Sequence, residues 1–244
     1  MNLTIDYYAV VDGTWPAARY EQVGPVTLRE GAGGGSRVSS ATVSGAFGES
    51  DLDRAEQGMR AMGQIPIFQI RRGQSELDTA LAARGYAVLD PVNIYSCPVD
   101  RLCDIPIPRV TVLFIWEPLA IMREIWAAGG IGPARIDVMN RVMGAKSSML
   151  GRLNEKPGGV AFVAIHDGVA MVHAIEVVPG QRRSGMGKWF MRAAAFWARD
   201  NGAHTVSVIC TQANDAANGL YASLGMTVVG HYHYRHLPPE LDAS

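Results

Sequence analysis

Val177-Val178-Pro179-Gly180-Gln181-Arg182-Arg183-Ser184-Gly185-Met186-Gly187-Lys188 reads as the end of an apolar strand, a glycine-bearing loop and the opening of a helix running through Trp189, Phe190 and Trp197 to Gly202. A helix N-terminus presents N–H groups without intrahelical acceptors and the positive end of the peptide dipoles, and glycine lets a phosphate approach the backbone. The stretch is therefore a candidate pyrophosphate cradle. Arg182, Arg183 and Lys188 bring positive charge to it. Alone, the same pattern also fits a tight turn with no ligand.

Upstream of the loop, Val160 to Ile165, the turn His166-Asp167-Gly168 and Met171 to Val178 read as a hairpin. Before it, Pro118 to Ala128 and Pro133 to Gly144 read as helices opened by proline and followed or closed by glycine. Downstream lie an apolar strand from Ser207, a helix stopped at Gly225 and a final strand from Thr227. From Val110 the order is strand, helix, helix, three strands, helix, strand, helix, strand. That order predicts an α/β protein with a mixed sheet.

The strand–turn–helix–strand unit occurs twice. Ile67 to Gln74 followed by Leu81 to Leu89 parallels Ser207 to Asn214 followed by Tyr221 to Val229, with Gly225 lying 140 residues after Gly85. Pro25 to Arg29, a turn at Gly33-Gly34-Gly35 and Arg37 to Val43 predict an earlier hairpin whose Val43 matches Val177. The offset there is 134, so the first copy lacks about six residues where the second has its glycine loop. The Pro106-Ile107-Pro108 pair, which holds its neighbours extended, divides the chain into 1–109 and 110–244.

Composition excludes several classes of partner. In 244 residues, 22 basic and 23 acidic side chains give a formal charge of -1, which predicts no nucleic-acid or anionic-membrane binding. Cys97, Cys103 and Cys210 make neither a metal knuckle nor a disulfide framework. No cationic leader opens the sequence, and no apolar run reaches the ~18 residues a bilayer span needs. A soluble, cytoplasmic protein, monomeric or homodimeric, is expected.

Asn214-x-x-Ala217-x-x-Leu220-Tyr221-x-x-x-Gly225-Met226 follows the loop, and Arg182 to Gly187 spells R-x-x-G-x-G. Together these resemble the GNAT superfamily of N-acetyltransferases from Val110 to about His236. The resemblance implies two tandem GNAT-like folds, the first degenerate and the second catalytic. It implies acetyl-coenzyme A as co-substrate, with pyrophosphate on the backbone amides of Arg183, Ser184, Gly185, Met186, Gly187 and Lys188. Its pantetheine arm would pair with the main chain of Ile175 and Val177, with Asn214 on its other side. The acceptor would be a small-molecule primary amine attacked directly. A coenzyme-binding sensor without turnover and a protein N-terminal or lysine acetyltransferase are the alternatives.

Tyr221 matches the family's tyrosine near the sulfur, a proton donor, although a core aromatic is its other reading. His173 lies, by strand alternation, on the face shared by Met171, Ile175 and Val177. Arylalkylamine N-acetyltransferases similarly carry a histidine base at this distance before the loop, and a structural histidine is the other reading. Many GNAT enzymes have a glutamate where this chain has Met171. Glu176, predicted on the opposite face from His173, is a second-rank site that would hold a cationic substrate or orient a helix, with a buried salt bridge as its other reading. His231, His233 and His236 lack a carboxylate or thiol at ligand spacing, so no metal is expected.

Overall fold

The computed structural model describes residues 5–238; Met1 to Thr4, part of the N-terminal reading above, lie outside them. The first half runs α1 (Tyr7–Thr14), β1 (Arg19–Val23), β2 (Val26–Glu30), α2 (Ser36–Ser39), β3 (Thr42–Val43), α3 (Glu49–Ala61), β4 (Ile67–Arg71), α4 (Ser75–Ala83), β5 (Ala87–Pro98) and α5 (Val99–Leu102). The second runs β6 (Val112–Ile115), α6 (Ala120–Ala128), α7 (Pro133–Arg141), β7 (Lys146–Leu153), β8 (Lys156–His166), β9 (Val169–Val177), α8 (Met186–Asp200), β10 (Thr205–Thr211), α9 (Asp215–Ser223) and β11 (Thr227–His236). The mixed α/β class and the repeated order are as the sequence predicts. The earlier hairpin differs in detail: Arg37 lies in α2, not in a strand, and the polar strand β1 and short α1 carry no periodicity that would mark them.

β8 is buried from Gly158 to Ala164 because helices cover both faces of the sheet. Met186, Phe190, Ala194 and Ala198 recur every fourth residue, giving α8 one apolar face that packs on Ala161, Val163, Val172 and Val208. The strands accommodate it by lacking a side chain: a Cβ at Gly151 would lie 2.7 Å from the Phe190 ring. Trp15, Trp126, Val138 and Met139 cover Val160, Phe162 and Ala164 on the other face.

The eight-stranded sheet has the order β4-β11-β5-β10-β9-β8-β7-β6. The last strand of each half has therefore crossed into the other. β5 lies between β10 and β11, with Tyr95 opposite Val208, and β11 lies between β4 and β5, with Tyr234 opposite Gln69. Two side chains lock this exchange in the same way. Asn218 Oδ1 on α9 accepts from Asn93 (3.2 Å) and Tyr95 (2.9 Å) of β5, while Asp78 Oδ1 on α4 bonds His233 (2.8 Å) and Arg235 (2.7 Å) of β11. All three pairs of equivalent positions are 140 residues apart, so the repeat extends to the bonds that join its copies.

Asn218 also donates through Nδ2 to the carbonyls of Thr211 (3.0 Å) and Asn214 (2.8 Å). Asn218→Ala removes this junction and should lower unfolding free energy by about 2 kcal/mol, several part-buried hydrogen bonds at roughly 1 kcal/mol each. Urea denaturation with an unchanged slope is the check.

Candidate active site

β9 and β10 pair in parallel from Val169 opposite Thr205 to Val172 opposite Val208, and there the pairing ends. The cause lies in β9. Phe162 of β8 faces His173 but Val160 faces Glu176, so three residues of β9 span two of β8. This is a β-bulge, with Ala174 at φ 51° and its carbonyl held by Trp126 Nε1–H at 2.8 Å. A positive φ at alanine costs on the order of 1–2 kcal/mol and persists because the indole bond and packing fix it. Beyond the bulge the strands splay and open a cleft of about 860 Å³, lined from β9, β10, α9 and the Arg182–Lys188 loop.

The extra residue also shifts the phase of side-chain alternation. His173 therefore does not share a face with Ile175 and Val177, which pack toward the α8 side, and Glu176 lies on the face of His173 instead of opposite it. Strict period two fails here because it assumes an unbroken ladder.

The loop has the geometry of a cradle. Arg183 (φ 61°) and Gly185 (φ 87°) turn the chain into α8, and a Cβ at Gly185 would meet nothing within 4 Å. Trp189 N–H to the Gly185 carbonyl (3.2 Å) is an early main-chain bond of the helix, so the amides before it lack intrahelical acceptors. Arg183 and Lys188 line the cleft beside them. These features fit a phosphate-bearing ligand. Gly187 has a packing reason, since a Cβ there would lie 2.7 Å from Leu220, and the side chain of Met186 belongs to the core. The Ser184 hydroxyl bonds the Gln181 carbonyl. Arg182 folds back, its Nε on the Val177 carbonyl (3.2 Å) and its Nη2 on Glu176 Oε1 (3.1 Å), so Glu176 tethers the loop.

Asn214 caps α9 through Oδ1, which accepts from Ala217 N–H at 3.0 Å, and it borders the cleft. Tyr221 lines the same cleft, only 4% exposed, with its ring 5.4 Å from that of Tyr95. Burial, with Cys210 and Tyr95 nearby, pushes its phenol far above the usual range. It stays protonated at any working pH.

His173 is 3% exposed and both its nitrogens are engaged. Thr14 gives its hydroxyl hydrogen to the Val10 carbonyl (2.7 Å), so Thr14 Oγ1 accepts from His173 Nε2 at 2.9 Å. The Nδ1 lone pair then accepts from Arg37 Nη1 at 3.1 Å. Burial foremost, and then Arg37, hold the imidazole well below its ordinary value, so it is neutral with no lone pair free for the cleft. Sequence reasoning did not single out Arg37, Trp15, Tyr232 or Tyr234, which join His173 in lining the cleft. They come from both halves of the chain and share no local motif.

The matching place in the first half is closed. Ala41 bridges β4, with its N–H on the Ile67 carbonyl (2.8 Å) and its carbonyl on Gln69 N–H (2.9 Å). Gln74, the counterpart of Asn214, reaches across to the Val43 carbonyl at 2.8 Å, and Leu81, in the place of Tyr221, is fully buried in an apolar cluster.

Because His173 is neutral when folded and protonates near pH 6.5 when unfolded, it favours folding above that pH, and this contribution is lost on acidification. Between pH 6 and 5 the wild type should lose up to about 1.4 kcal/mol of stability per pH unit more than His173→Gln. Urea denaturation across that range reads the difference, and equal slopes would rule out the neutral imidazole.

Comparison with known proteins agrees with this geometry. Residues 137–226, from α7 to the start of β11, match the model of the acetyltransferase (GNAT) family. An uncharacterized N-acetyltransferase of Bacillus subtilis, YobR, is 26% identical over 237 residues, covering 91% of this chain and 94% of that one. Among solved structures, a GCN5-related N-acetyltransferase from Kribbella flavida shares the fold at TM-score 0.66 and 17% identity, covering 97% of each chain. A tandem GNAT protein from the clavulanic acid biosynthesis pathway does so at TM-score 0.61 and 12% identity, covering 97% of this chain and 89% of that one. Residues 137–226, which carry the loop and helix motifs around the splayed cleft, thus match the acetyltransferase (GNAT) family, and the chain as a whole shares the mixed α/β fold of these solved structures.

Proposed function

We propose that the chain transfers the acetyl group of acetyl-coenzyme A to the primary amine of a small molecule by direct attack, without a covalent enzyme intermediate. The observation that carries this reading is one cleft with helix amides and cations along one part of its wall and a buried, protonated phenol along another. The amides of Arg183 to Lys188 would hold the pyrophosphate. The edge of β9 that has no strand partner beyond Val172 would take the amide-bearing arm at Ile175 and Val177, where Arg182 now holds the Val177 carbonyl. When bound, the coenzyme supplies a thioester carbonyl open to attack.

Tyr221 then holds the proton that the departing sulfur needs. The amine must lose a proton as well. With both nitrogens of His173 engaged, that proton passes to water, and His173 acts by positioning Arg37. Glu176 acts through Arg182. Residues 110–244 form the catalytic half on this reading. Residues 1–109 form a half without a coenzyme site that supplies Trp15 and Arg37 to the wall of the cleft, and an acceptor site walled in this way suits a small molecule.

Gly185→Asp places a carboxylate against the pyrophosphate and should weaken acetyl-coenzyme A binding by roughly 3 kcal/mol or more, about a hundredfold, in calorimetry on protein shown to be folded. The wild type should take up one coenzyme per chain. Unchanged affinity, or two coenzymes per chain, would overturn the assignment.

Tyr221→Phe should keep coenzyme affinity and fold while lowering turnover by roughly 10²-fold, read as free thiol released with an amine acceptor. Full turnover would return Tyr221 to a packing role.

A further inference from the structure

The wall of the cleft contributed by the first half carries a positive charge that no carboxylate among the described residues pairs. Arg37 reaches His173 through Nη1, lies 5.7 Å over the Trp15 ring and stands beside the hydroxyls of Tyr232 and Tyr234. Its Nε is buried with no hydrogen-bond partner. Arg29, Arg71, Arg84, Arg192 and Arg235 each contact a carboxylate. Among the described residues no carboxylate lies within ion-pair distance of Arg37. Of the acids lining the cleft, Glu176 is taken by Arg182, and Asp90, exposed in the β5 bulge between Leu89 opposite Tyr234 and Val92 opposite Tyr232, makes no ion pair with Arg37.

Removing a guanidinium from water without an anion is costly, and the usual remedy is a paired, hydrogen-bonded partner. Here the cation is held in place by a chain of hydrogen bonds, from the Val10 carbonyl through Thr14 and His173. A neutral imidazole accepts from Arg37 and leaves its charge uncancelled. Arg135 of α7 adds a second cation to the same lining, its Nη2 3.3 Å from where a Cβ on Gly35 would stand. A site so arranged recognises a planar or tetrahedral oxyanion through charge-assisted hydrogen bonds.

The geometry points to an acceptor that carries an anionic oxygen group, carboxylate or phosphate-type, besides its amine, with Arg37 pairing that group. The inference deepens the proposed acetyl transfer and rests on it. Arg37 and Arg135 are then specificity residues, and the half of the chain that lacks a coenzyme site selects the acceptor.

The test uses the full chain, wild type, Arg37→Met and Arg37→Lys. Free thiol release from acetyl-coenzyme A is measured with matched amines: benzylamine against 4-(aminomethyl)benzoate, and butylamine against 4-aminobutyrate and 3-aminopropylphosphonate. Alongside it, ligand-observed NMR on coenzyme A-saturated protein compares binding of carboxylates and phosphonates with that of their uncharged amides, which needs no turnover. The wild type should favour the anionic member at least tenfold in kcat/KM and in binding. Arg37→Met should abolish that preference, and Arg37→Lys should restore part of it, with acetyl-coenzyme A affinity unchanged in both. Whichever anion class wins identifies the group. Equal binding of acids and amides, preference for neutral or cationic amines, or a preference that survives Arg37→Met would overturn the inference. Failure of the wild type to bind coenzyme A in calorimetry would instead remove the reading beneath it.

Discussion

The hydrogen bond from the Trp126 indole to the Ala174 carbonyl fixes the one irregularity on which the site depends. Without an extra residue in β9, the parallel ladder to β10 would run past Val172 and Val208 and close the cleft. With it, β9 bends away while its other edge stays bonded to β8, so backbone polar groups face a gap instead of a neighbour. An extended, amide-bearing ligand can satisfy them as a strand would. The same bulge turns Glu176 to the face of His173 and within reach of Arg182, which couples the strand to the loop that follows.

The exchange of final strands gives the first half a structural part in the cleft of the second. β5 supplies the antiparallel partner of β10, and Tyr95 packs against Tyr221. The ring proposed as proton donor is therefore positioned by a residue from the other half of the chain. In the first half, the equivalent gap is sealed by Gln74 and filled by Leu81. One splay is kept open and the other is closed, although both grow from the same repeated unit.

Much of this was legible in sequence because it is local. The α8 face follows from Met186, Phe190, Ala194 and Ala198, and the cradle from Gly185 at a left-handed φ. The capping Asn214 and the stop at Gly225 follow from helix-end chemistry. The face of His173 was not legible, since period-two counting cannot see a bulge fixed by a tryptophan 48 residues away. Neither was the strand exchange: the pattern of apolar residues in β5 and β11 says that each is a strand, not which neighbours it takes. The locking pairs could have been found from the repeat, because Asp78 and Asn218 occupy equivalent positions and so do their partners.

In the proposed acetyl transfer, coenzyme recognition and acceptor recognition have different origins in the chain. The first would lie within one contiguous stretch, loop to helix to strand, where backbone amides would do the binding and the sequence need only keep glycines and a helix start. The second is assembled where the halves meet, from Trp15, Arg37 and His173, and no two of these are close in sequence. His173 belongs to this second group: its hydrogen bonds run to Thr14 and Arg37, both from the first half. A histidine that the motif-bearing stretch offers as a base is, in the folded chain, the post that holds an arginine. The chemistry of a residue here follows from what the exchange brings against it more than from its distance to the loop.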